Sequence, residues 1–486
     1  MDYSGIKALI MGLGLNGGGL ESARFMLSRG ASIIVTDLRD EKILKPSIDQ
    51  LESFYPETKR IHYVLGKHEI DDFKNADIVI KNPGVRPDSP FLLASRRIET
   101  DISLFLSESR ARLFAVTGTK GKSSVSSALY RILSKAKEDC KKGRAFLGGN
   151  ITVSPLTFLK NDLTEDDDVV LELSSFQLGD LKGKKDFKGE ALLKPAAAVI
   201  TSIMPDHLDR YASMAEYIDD KKNIYRAQDK NCVTVAGDDE WGKCFLSETK
   251  GRPLVCADNK HLSGENQSGG WIDANGRGFA RLCSRNGFND EEAELVPDRL
   301  KIPGYHHKLN ILCASLAAYS LGVKPQIIKD AVSTFSGIEH RLELFHEANG
   351  ICFYNDSAAT IPEAAAACVE ALSPLVLITG GTDKNLDFSP LVKAVKKAAA
   401  QRSLRSVILL AGTGSEKLRG LLAETGIPYH GPYDNLDEAV RCAVNEAQEG
   451  DNIALSPGCA SFGMFLNEFD RGRKWKEAVQ KITNVK

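Results

Sequence analysis

A glycine-rich segment, residues 116–124 (Val-Thr-Gly-Thr-Lys-Gly-Lys-Ser-Ser), constrains the fold of this chain more than any other feature. It follows the apolar run 113–116 and precedes residues 125–133, which have helical periodicity. In a strand, glycine loop and helix, backbone N–H groups and the helix N-terminus bind phosphate oxygens. Only two residues separate Gly118 from Gly121, fewer than in the common phosphate loop. A chance turn is the alternative, but the preceding strand favours a nucleotide site, with ATP as ligand.

Within this loop, Lys122 is expected to reach the terminal phosphates and the Ser123 hydroxyl to ligate Mg²⁺. The residues predicted to contact ATP are Gly118, Thr119, Lys120, Gly121, Lys122, Ser123 and Ser124.

Length and composition exclude several other classes of protein. A chain of 486 residues is expected to form about three domains. The net charge of −2, with both signs interspersed, gives no sign of nucleic-acid or membrane-surface binding. The ten cysteines form no CxxC pair, which favours reduced thiols in a cytoplasmic protein. We also find no membrane-spanning run and no signal peptide.

Apolar strand-like runs alternate with helical patterns, which predicts an α/β fold of parallel sheets covered by helices. Strands are expected at residues 7–12, 32–36, 77–81, 168–173, 196–201, 351–354, 375–379, 406–410 and 452–456. Residues 256–300 are rich in Gly, Asn and charge, and predict turns with small antiparallel strands. The charged stretch 107–112 suggests a first boundary, and a third unit is expected to begin near Ile338.

The first unit carries a dinucleotide-type fingerprint, Gly12-Leu-Gly14-Leu-Asn-Gly17, with Asp37 about twenty residues later. Nicotinamide is one candidate ligand, but a dehydrogenase does not need the ATP loop downstream. The diphosphate of a nucleotide sugar suits the same geometry. The turn Asn82-Pro83-Gly84 is expected to face the same crevice, and a plain turn is an equally good interpretation.

Three residues of the central unit are candidates for metal chemistry. Glu172 ends a strand of Val and Leu, where a carboxylate must either pair with Lys or Arg or ligate a cation. His207 is a possible metal ligand, although a helix cap explains it better from sequence alone. Lys221 lies on a helix predicted over residues 215–228, with tyrosines at i±4, and an exposed lysine is the simpler interpretation.

In the third unit, turns follow three predicted strands: residues 355–360, 380–384 and 456–462. Open α/β sheets bind ligands at the carboxyl ends of their strands. Three such turns at one edge therefore predict a binding face.

Taken together, these motifs resemble the Mur ligase family, and most closely its D-glutamate-adding branch. The similarity runs through the whole chain in one order: Gly-Leu-Gly near the start, Thr-Gly-Thr-Lys-Gly-Lys-Ser, Gly-Gly-Asn150, Glu-Leu-Ser-Ser-Phe-Gln, Asp-His-Leu-Asp-Arg-Tyr, Gly304…Asn310, His340-Arg341, Asn-Asp-Ser and Ser-Pro…Cys-Ala-Ser. The chain departs from the family pattern at Ala358, where lysine is usual, and at His307, where asparagine is common.

The resemblance implies three domains: a Rossmann-like domain binding the UDP substrate (1–110), a central ATP-binding domain (111–338) and a Rossmann-like amino-acid-binding domain (339–486). It adds Asn310, Arg341 and Asp356 as nucleotide contacts. It implies two Mg²⁺ ions held by Ser123, Glu172, His207 and Lys221, the last as a carbamate. The implied catalytic residues are Lys122, His207 and Lys221. The implied substrate contacts are Leu15, Asn16, Asp37, Arg39, Gly84, Asn150, Ser174, Gln177, Thr360, Lys384, Ser461 and Phe462.

The activity implied is ATP-dependent addition of D-glutamate to UDP-N-acetylmuramoyl-L-alanine, through an acyl phosphate, by a cytoplasmic monomer acting on small molecules. Another amino-acid-adding ligase and a folylpolyglutamate synthase are alternatives within the same chemistry. An NAD-dependent oxidoreductase, favoured by residues 12–37 alone, and a non-catalytic nucleotide-binding regulator are alternatives from other classes.

Overall fold

The computed structural model describes residues 2–14, 17–56, 59–151, 153–206, 210–257, 267–302, 304–383, 386–423 and 426–483. Contacts divide the chain into two compact units, Met1–Asp298 with Leu309–Val332, and Arg299–Lys308 with Ser333–Lys486. The first unit contains a five-stranded and a nine-stranded sheet, and the second contains a six-stranded sheet. The predicted α/β fold is confirmed, whereas the three domain boundaries drawn from sequence stay predictions.

The first sheet has the strand order β3-β2-β1-β4-β5, and all its pairings are parallel. Its strands are β1 (Lys7–Met11), β2 (Ser32–Asp37), β3 (Ile61–Leu65), β4 (Ile78–Lys81) and β5 (Ile98–Glu99). Its helices are α1 (Gly18–Ser28), α2 (Glu41–Phe54), α3 (Ile70–Asn75), α4 (Pro90–Leu93) and α5 (Asp101–Glu108). From β1 the chain adds β2 and β3 on one side of the sheet, and then β4 and β5 on the other side. The loops that follow β1 and β4 therefore border one crevice.

The nine-stranded sheet has the order β14-β13-β12-β11-β10-β9-β6-β8-β7. Its strands are β6 (Arg112–Thr117), β7 (Ala145–Gly149), β8 (Asp168–Glu172), β9 (Ala197–Ile200), β10 (Val233–Gly237), β11 (Arg252–Ala257), β12 (Gly269–Ile272), β13 (Gly278–Leu282) and β14 (Glu291–Val296). The helices along this part of the chain are α6 (Lys122–Cys140), α7 (Ser175–Asp180), α8 (Met214–Lys222), α9 (Glu240–Glu248), α10 (Tyr305–Tyr319) and α11 (Pro325–Ser333), with 3₁₀ turns at Pro155–Asn161 and Ser284–Asn286. Strands β12, β13 and β14 pair antiparallel, as predicted.

One predicted helix of this unit exists, but its predicted end is wrong. The helix predicted over residues 215–228 ends at Lys222, and turns follow it. Asn223 donates from Nδ2 to Leu178 O at 3.1 Å, and Gln228 donates from Nε2 to Pro195 O at 2.9 Å. These tertiary hydrogen bonds override the local helical periodicity.

The six-stranded sheet has the order β15-β16-β20-β17-β18-β19. Its strands are β15 (Glu343–Ala348), β16 (Ile351–Asn355), β17 (Leu375–Gly380), β18 (Leu404–Leu410), β19 (Tyr429–Tyr433) and β20 (Asn452–Leu455). Its helices are α12 (Pro362–Ala371), α13 (Ser389–Ala400), α14 (Thr413–Ala423), α15 (Leu436–Glu446) and α16 (Glu468–Thr483). Because β16, β20 and β17 are parallel neighbours, their carboxyl ends meet at one edge.

All ten cysteines are free thiols. Within the described ranges, no helix combines the length and the apolar character needed to cross a bilayer.

Candidate active site

The phosphate loop connects the central strand β6 to helix α6, as the sequence predicts. Gly118 has φ +142° and Gly121 has φ +86°, in the region that favours glycine. A Cβ at Gly118 would lie 1.8 Å from Thr201 Oγ1, and one at Gly121 would lie 2.6 Å from Asn310 Oδ1. Both glycines are therefore required by backbone conformation and by close neighbours. Thr201 was missed from sequence because only the fold brings it to the loop.

Tertiary hydrogen bonds fix the loop between the two glycines. The Thr119 amide donates to Ser202 O at 2.8 Å, and Thr119 Oγ1 accepts from Met204 N at 3.0 Å. The same hydroxyl lies 2.8 Å from the hydroxyl of the buried Tyr217. The loop is thus preorganised before any phosphate binds.

Lys122 and Ser123 are the first residues of α6, so both lie at the positive end of a 19-residue helix. Lys122 Nζ donates to Gly118 O at 3.0 Å and to Thr119 O at 2.9 Å. The ammonium group therefore lies over the loop itself. Lys120 is exposed, while Ser123 and Ser124 are half-buried.

Lys221 is buried beside the same loop, with only 1% of its surface exposed, so the simpler interpretation as an exposed lysine is wrong. Its Nζ donates to Gly118 O at 2.9 Å and lies 4.5 Å from the centre of the Tyr217 ring. Burial, and then the nearby charge of Lys122, lower the pKa of Lys221 to about 7. An appreciable fraction of this amine is therefore neutral near neutral pH.

Glu172 ends β8, and the parallel register pairs it with Val116 of β6, next to the phosphate loop. The residue is 2% exposed. Its Oε1 accepts from Asn150 Nδ2 at 3.1 Å, whereas its Oε2 is buried without a hydrogen-bond partner among the described residues. No Lys or Arg in the described part of the chain pairs with it, which removes the structural ion pair weighed from sequence.

Ser174 and Gln177 form a capping box at the start of α7, and Ser174 lies two residues after Glu172. Ser174 Oγ accepts from Gln177 N at 3.2 Å, and Gln177 Oε1 accepts from Ser174 N at 3.0 Å. Both side chains therefore have a structural role at the helix N-terminus.

In the first sheet, Asp37 fixes the glycine loop. Its Oδ2 accepts from Gly14 N at 3.1 Å, and its Oδ1 accepts from Arg39 N at 2.9 Å. Arg39 itself is exposed. Asn82 donates from Nδ2 to Gly12 O at 2.7 Å, so the loop after β4 and the glycine loop after β1 touch, as predicted.

Two charged side chains that contact the turn at residues 82–85 were not predicted as site residues. Arg210 donates to the carbonyls of this turn, and Lys81 forms a buried ion pair with Asp180 at 2.7 Å. An open cleft of about 680 Å³ borders these groups. Arg210 belongs to the Asp-His-Leu-Asp-Arg-Tyr motif, but the motif does not indicate its partner, because the hydrogen bonds join residues more than 120 positions apart.

In the second unit, the three predicted turns meet at one sheet edge. Asp356 is buried, and its Oδ2 accepts from Ser456 Oγ at 2.6 Å. Thr382 and Ala460 form a β-bridge, which joins the other two turns. Burial raises the pKa of Asp356 to about 7. The predicted clustering of the three turns is confirmed.

A buried arginine missed from sequence binds two of these turns. Arg471 donates from Nη2 to Ser357 O at 2.8 Å and from Nη1 to Cys459 O at 3.2 Å. Burial lowers the pKa of Arg471 to about 10. Ser461 is buried beside it, and Phe462 is exposed.

The structure shows the contacts and charges around Ala358 and His307, the two departures from the family pattern. Ala358 donates from its amide to His340 O at 2.9 Å. Burial, His306 and Arg341, in that order, lower the pKa of His307 to about 3, so this imidazole is neutral.

The remaining predicted site residues divide into two groups. Thr360 is half-buried, and Arg341 is exposed. Leu15, Asn16, His207 and Lys384 lie outside the described residues. The described residues contain no cluster of three His, Cys, Asp or Glu side chains that could hold a metal ion.

Three family models match successive parts of the chain. They are the MurD-like N-terminal domain of Mur ligases over residues 6–103, the Mur ligase middle domain over 116–318, and the Mur ligase glutamate ligase domain over 340–459.

Two relatives that match over the whole length carry the same name. The UDP-N-acetylmuramoylalanine–D-glutamate ligase of Roseiflexus sp. (strain RS-1) is 37% identical, covering 99% of this chain and 100% of the relative. The protein of the same name from Treponema pallidum (strain Nichols) is 36% identical, covering 98% of each.

Solved structures share the fold. A UDP-N-acetylmuramate–alanine ligase from Thermotoga maritima aligns with a TM-score of 0.58 at 19% identity, covering 98% of this chain and 100% of that one. A MurF ligase from the same organism, in complex with ADP, aligns with a TM-score of 0.54 at 16% identity, covering 99% and 96%.

Proposed function

Because the chain belongs to the Mur ligase family, we propose that it joins D-glutamate to UDP-N-acetylmuramoyl-L-alanine at the expense of ATP. The observation that carries the proposal is the match over 98–99% of the chain to relatives named for this reaction. The geometry supports it: a buried lysine of low pKa donates to the phosphate loop, and a buried carboxylate whose Oε2 has no partner among the described residues ends the strand beside β6.

The proposed chemistry follows from the weakness of a carboxylate as an electrophile. The carboxylate of the L-alanyl group attacks the γ-phosphorus of ATP, and ADP leaves. The resulting acyl phosphate has a good leaving group. The amine of D-glutamate attacks its carbonyl carbon and loses a proton, and inorganic phosphate departs as the amide forms.

In this scheme the chain positions the phosphates and disperses their charge. The loop amides and the α6 N-terminus orient the nucleotide, and Lys122 neutralises the transferring phosphoryl group. The donor set fits Mg²⁺, because Glu172 Oε2 is a buried carboxylate oxygen without a partner among the described residues. Ser123, Glu172 and His207 would hold such ions, which would supply further charge neutralisation.

The remaining assignments follow the family pattern. Leu15, Asn16, Asp37, Arg39 and Gly84 are proposed to contact the UDP group, and Asn150, Ser174 and Gln177 the sugar–peptide part. Gly118–Ser124, Asn310, Arg341 and Asp356 are proposed to contact ATP, and Thr360, Lys384, Ser461 and Phe462 the amino acid. We also propose that the enzyme is a cytoplasmic monomer that acts on small-molecule substrates.

Lys221 is proposed to be carbamylated. A neutral amine adds CO₂ and loses a proton to become a carbamate, and the low pKa of Lys221 supplies the neutral form. The modification would replace a cation near Lys122 with an anion, turning repulsion between two lysines into attraction. The carbamate would also be a further Mg²⁺ ligand.

A CO₂ dependence follows from this proposal. Above a pH of about 7 the amine is largely neutral, so CO₂-depleted enzyme should regain activity when bicarbonate is added. Below that pH the amine is protonated and the recovery should vanish. ¹³C-bicarbonate should give a carbamate NMR signal that Lys221→Arg loses and Lys222→Arg, which changes a lysine paired with Glu248, retains. Full activity without CO₂ at every pH, with unmodified Lys221, would contradict the proposal.

The UDP contact at Gly84 gives a second prediction. A Cβ at Gly84 would meet nothing within 4 Å in the described protein, and the residue does not have a positive φ. Gly84→Ala should therefore leave the fold intact but raise KM for the nucleotide sugar by about tenfold, because the methyl group would obstruct a closely bound phosphate. Gly420→Ala, at an equally open glycine of α14, is the control. An unchanged KM in Gly84→Ala would remove this contact.

An acceptor panel tests the proposed function. The purified chain is incubated with ATP, Mg²⁺ and UDP-N-acetylmuramoyl-L-alanine, together with D-glutamate, L-lysine, diaminopimelate or L-alanine. Phosphate release and the mass of the product are measured. Turnover with D-glutamate alone is expected. Equal turnover with all four amino acids, or with none, would remove the assignment.

A further inference from the structure

The turn at residues 83–85 is held by one arginine from a distant segment. Arg210 Nη1 donates to Gly84 O at 3.0 Å, and Nη2 donates to Pro83 O and Val85 O, both at 3.2 Å. Three successive carbonyls therefore face one guanidinium. The planar guanidinium reaches them with two separate nitrogens in a fixed fork, whereas the three donors of a lysine ammonium all lie on one atom.

This arrangement determines which donors of the turn remain available. Pro83 has no N–H, and the Val85 amide donates to Asn82 O at 3.0 Å. The Gly84 amide has no hydrogen-bond acceptor among the described residues. Arg210 thus occupies the carbonyls of the turn, while the Gly84 amide is the N–H of residues 83–85 for which the described protein offers no acceptor. A free amide close to a cation suits an anionic ligand such as a diphosphate.

On its other side, Arg210 is connected to the phosphate loop through aromatic rings. Its guanidinium carbon lies 3.7 Å from the centre of the Phe176 ring, and Phe176 stacks on Tyr211 at 5.8 Å. Tyr211 packs edge-on against Tyr217 at 5.4 Å, and the Tyr217 hydroxyl lies 2.8 Å from Thr119 Oγ1. Packed contacts therefore run from the turn to the ATP loop.

We propose that Arg210 is a positioning residue for the nucleotide-sugar substrate, acting through the 83–85 turn whose free amide it orients. The inference rests on the proposed function, since it assigns Arg210 to the binding of that substrate. Phe176 holds the guanidinium in plane and ties it to the helix that follows Glu172.

The surroundings of Arg210 separate this role from simple stabilisation of the fold. The Arg210–Phe176 stack borders the open cleft of about 680 Å³, so a truncated side chain leaves space that water enters rather than a buried void. The Lys81–Asp180 ion pair, in which Lys81 Nζ also donates to Val85 O at 3.1 Å, still attaches the turn to helix α7. Removing Arg210 should therefore loosen the turn without unfolding the chain.

The test compares Arg210→Met, Arg210→Lys and the control Arg226→Met in the full chain. Arg226 is a half-exposed arginine of the same unit, and its side chain pairs with Asp219 and Asn223 rather than with residues of the turn. Deuterium uptake at residues 80–93 is measured without ligand. Calorimetry gives the affinities for UDP-N-acetylmuramoyl-L-alanine and for a non-hydrolysable ATP analogue.

Arg210→Met should raise uptake at the turn and weaken nucleotide-sugar binding about tenfold, the equivalent of one charge-assisted hydrogen bond, with ATP-analogue binding within about twofold of the wild type. Arg210→Lys should resemble Arg210→Met, because charge without the fork does not hold three carbonyls. The proposal would be overturned if deuterium uptake at the turn were unchanged in Arg210→Met, or if Arg210→Lys bound the nucleotide sugar as well as the wild type. It would also be overturned if Arg210→Met bound both ligands equally more weakly and had a lowered melting temperature. If the wild type fails to bind the nucleotide sugar, the proposed function fails, and uptake alone decides whether Arg210 positions the turn.

Discussion

Lys122→Ala is expected to lower kcat for phosphate release by about 10³-fold or more, the scale on which a cation supports phosphoryl transfer. Lys122 stands at the N-terminus of α6, where its ammonium group reaches the loop that is expected to bind the phosphates. Lys122 Nζ donates to two carbonyls of the loop rather than to the sheet, so its loss should leave the sheet and the helix intact. Phosphate release under saturating substrates measures the effect.

Lys135→Ala is the matched control for this change, because Lys135 is a partly exposed lysine of the same helix with a loose pairing to Glu138 at 3.7 Å. Circular dichroism and the melting temperature should match the wild type in both variants. A kcat for Lys122→Ala within a few-fold of the wild type would refute the catalytic role of this residue.

Glu172→Gln is expected to reduce kcat by about 10²-fold and to raise the Mg²⁺ concentration needed for half-maximal activity. The substitution is isosteric, and its amide oxygen can still accept the hydrogen bond from Asn150. What it removes is the negative charge of a buried carboxylate whose Oε2 has no partner in the described residues. Stability should be unchanged or higher, because an uncompensated buried charge is costly.

The direction of the stability change separates the two interpretations of Glu172. If the carboxylate served only to stabilise the fold, Glu172→Gln would lower the melting temperature and leave the Mg²⁺ dependence unchanged. Glu138→Gln, at an exposed glutamate of α6, is the control for the loss of one negative charge in the same unit. Wild-type kcat and Mg²⁺ dependence in Glu172→Gln would contradict the metal-ligand assignment.

The parts of the fold that the sequence predicts are those determined by local pattern. The glycines of the phosphate loop need positive φ, and a strand and a helix flank them, so local signals suffice to place the loop. The three turns of the six-stranded sheet were predictable because parallel strands end at the same edge. The order of the motifs along the chain was sufficient to predict the family.

What the sequence did not predict depends on contacts between distant segments. The burial of Lys221 requires α8 to pack under the phosphate loop, and spacing along one helix cannot show that. The three carbonyls that Arg210 binds belong to the turn after β4 of the five-stranded sheet, far from Arg210 in the sequence. The helix predicted through Gln228 stops at Lys222 because the side chains of Asn223 and Gln228 bind distant carbonyls.

The central claim, that ATP activates the carboxylate of the L-alanyl substrate, is tested most directly by isotope transfer. UDP-N-acetylmuramoyl-L-alanine labelled with ¹⁸O in that carboxylate is converted with ATP and D-glutamate, and the released phosphate is analysed by mass spectrometry. Phosphate leaves the acyl phosphate with the oxygen that bridged it to the carbonyl carbon, so with both carboxylate oxygens labelled the account predicts one ¹⁸O atom in each phosphate released. Amide formation accompanied by unlabelled phosphate would contradict it.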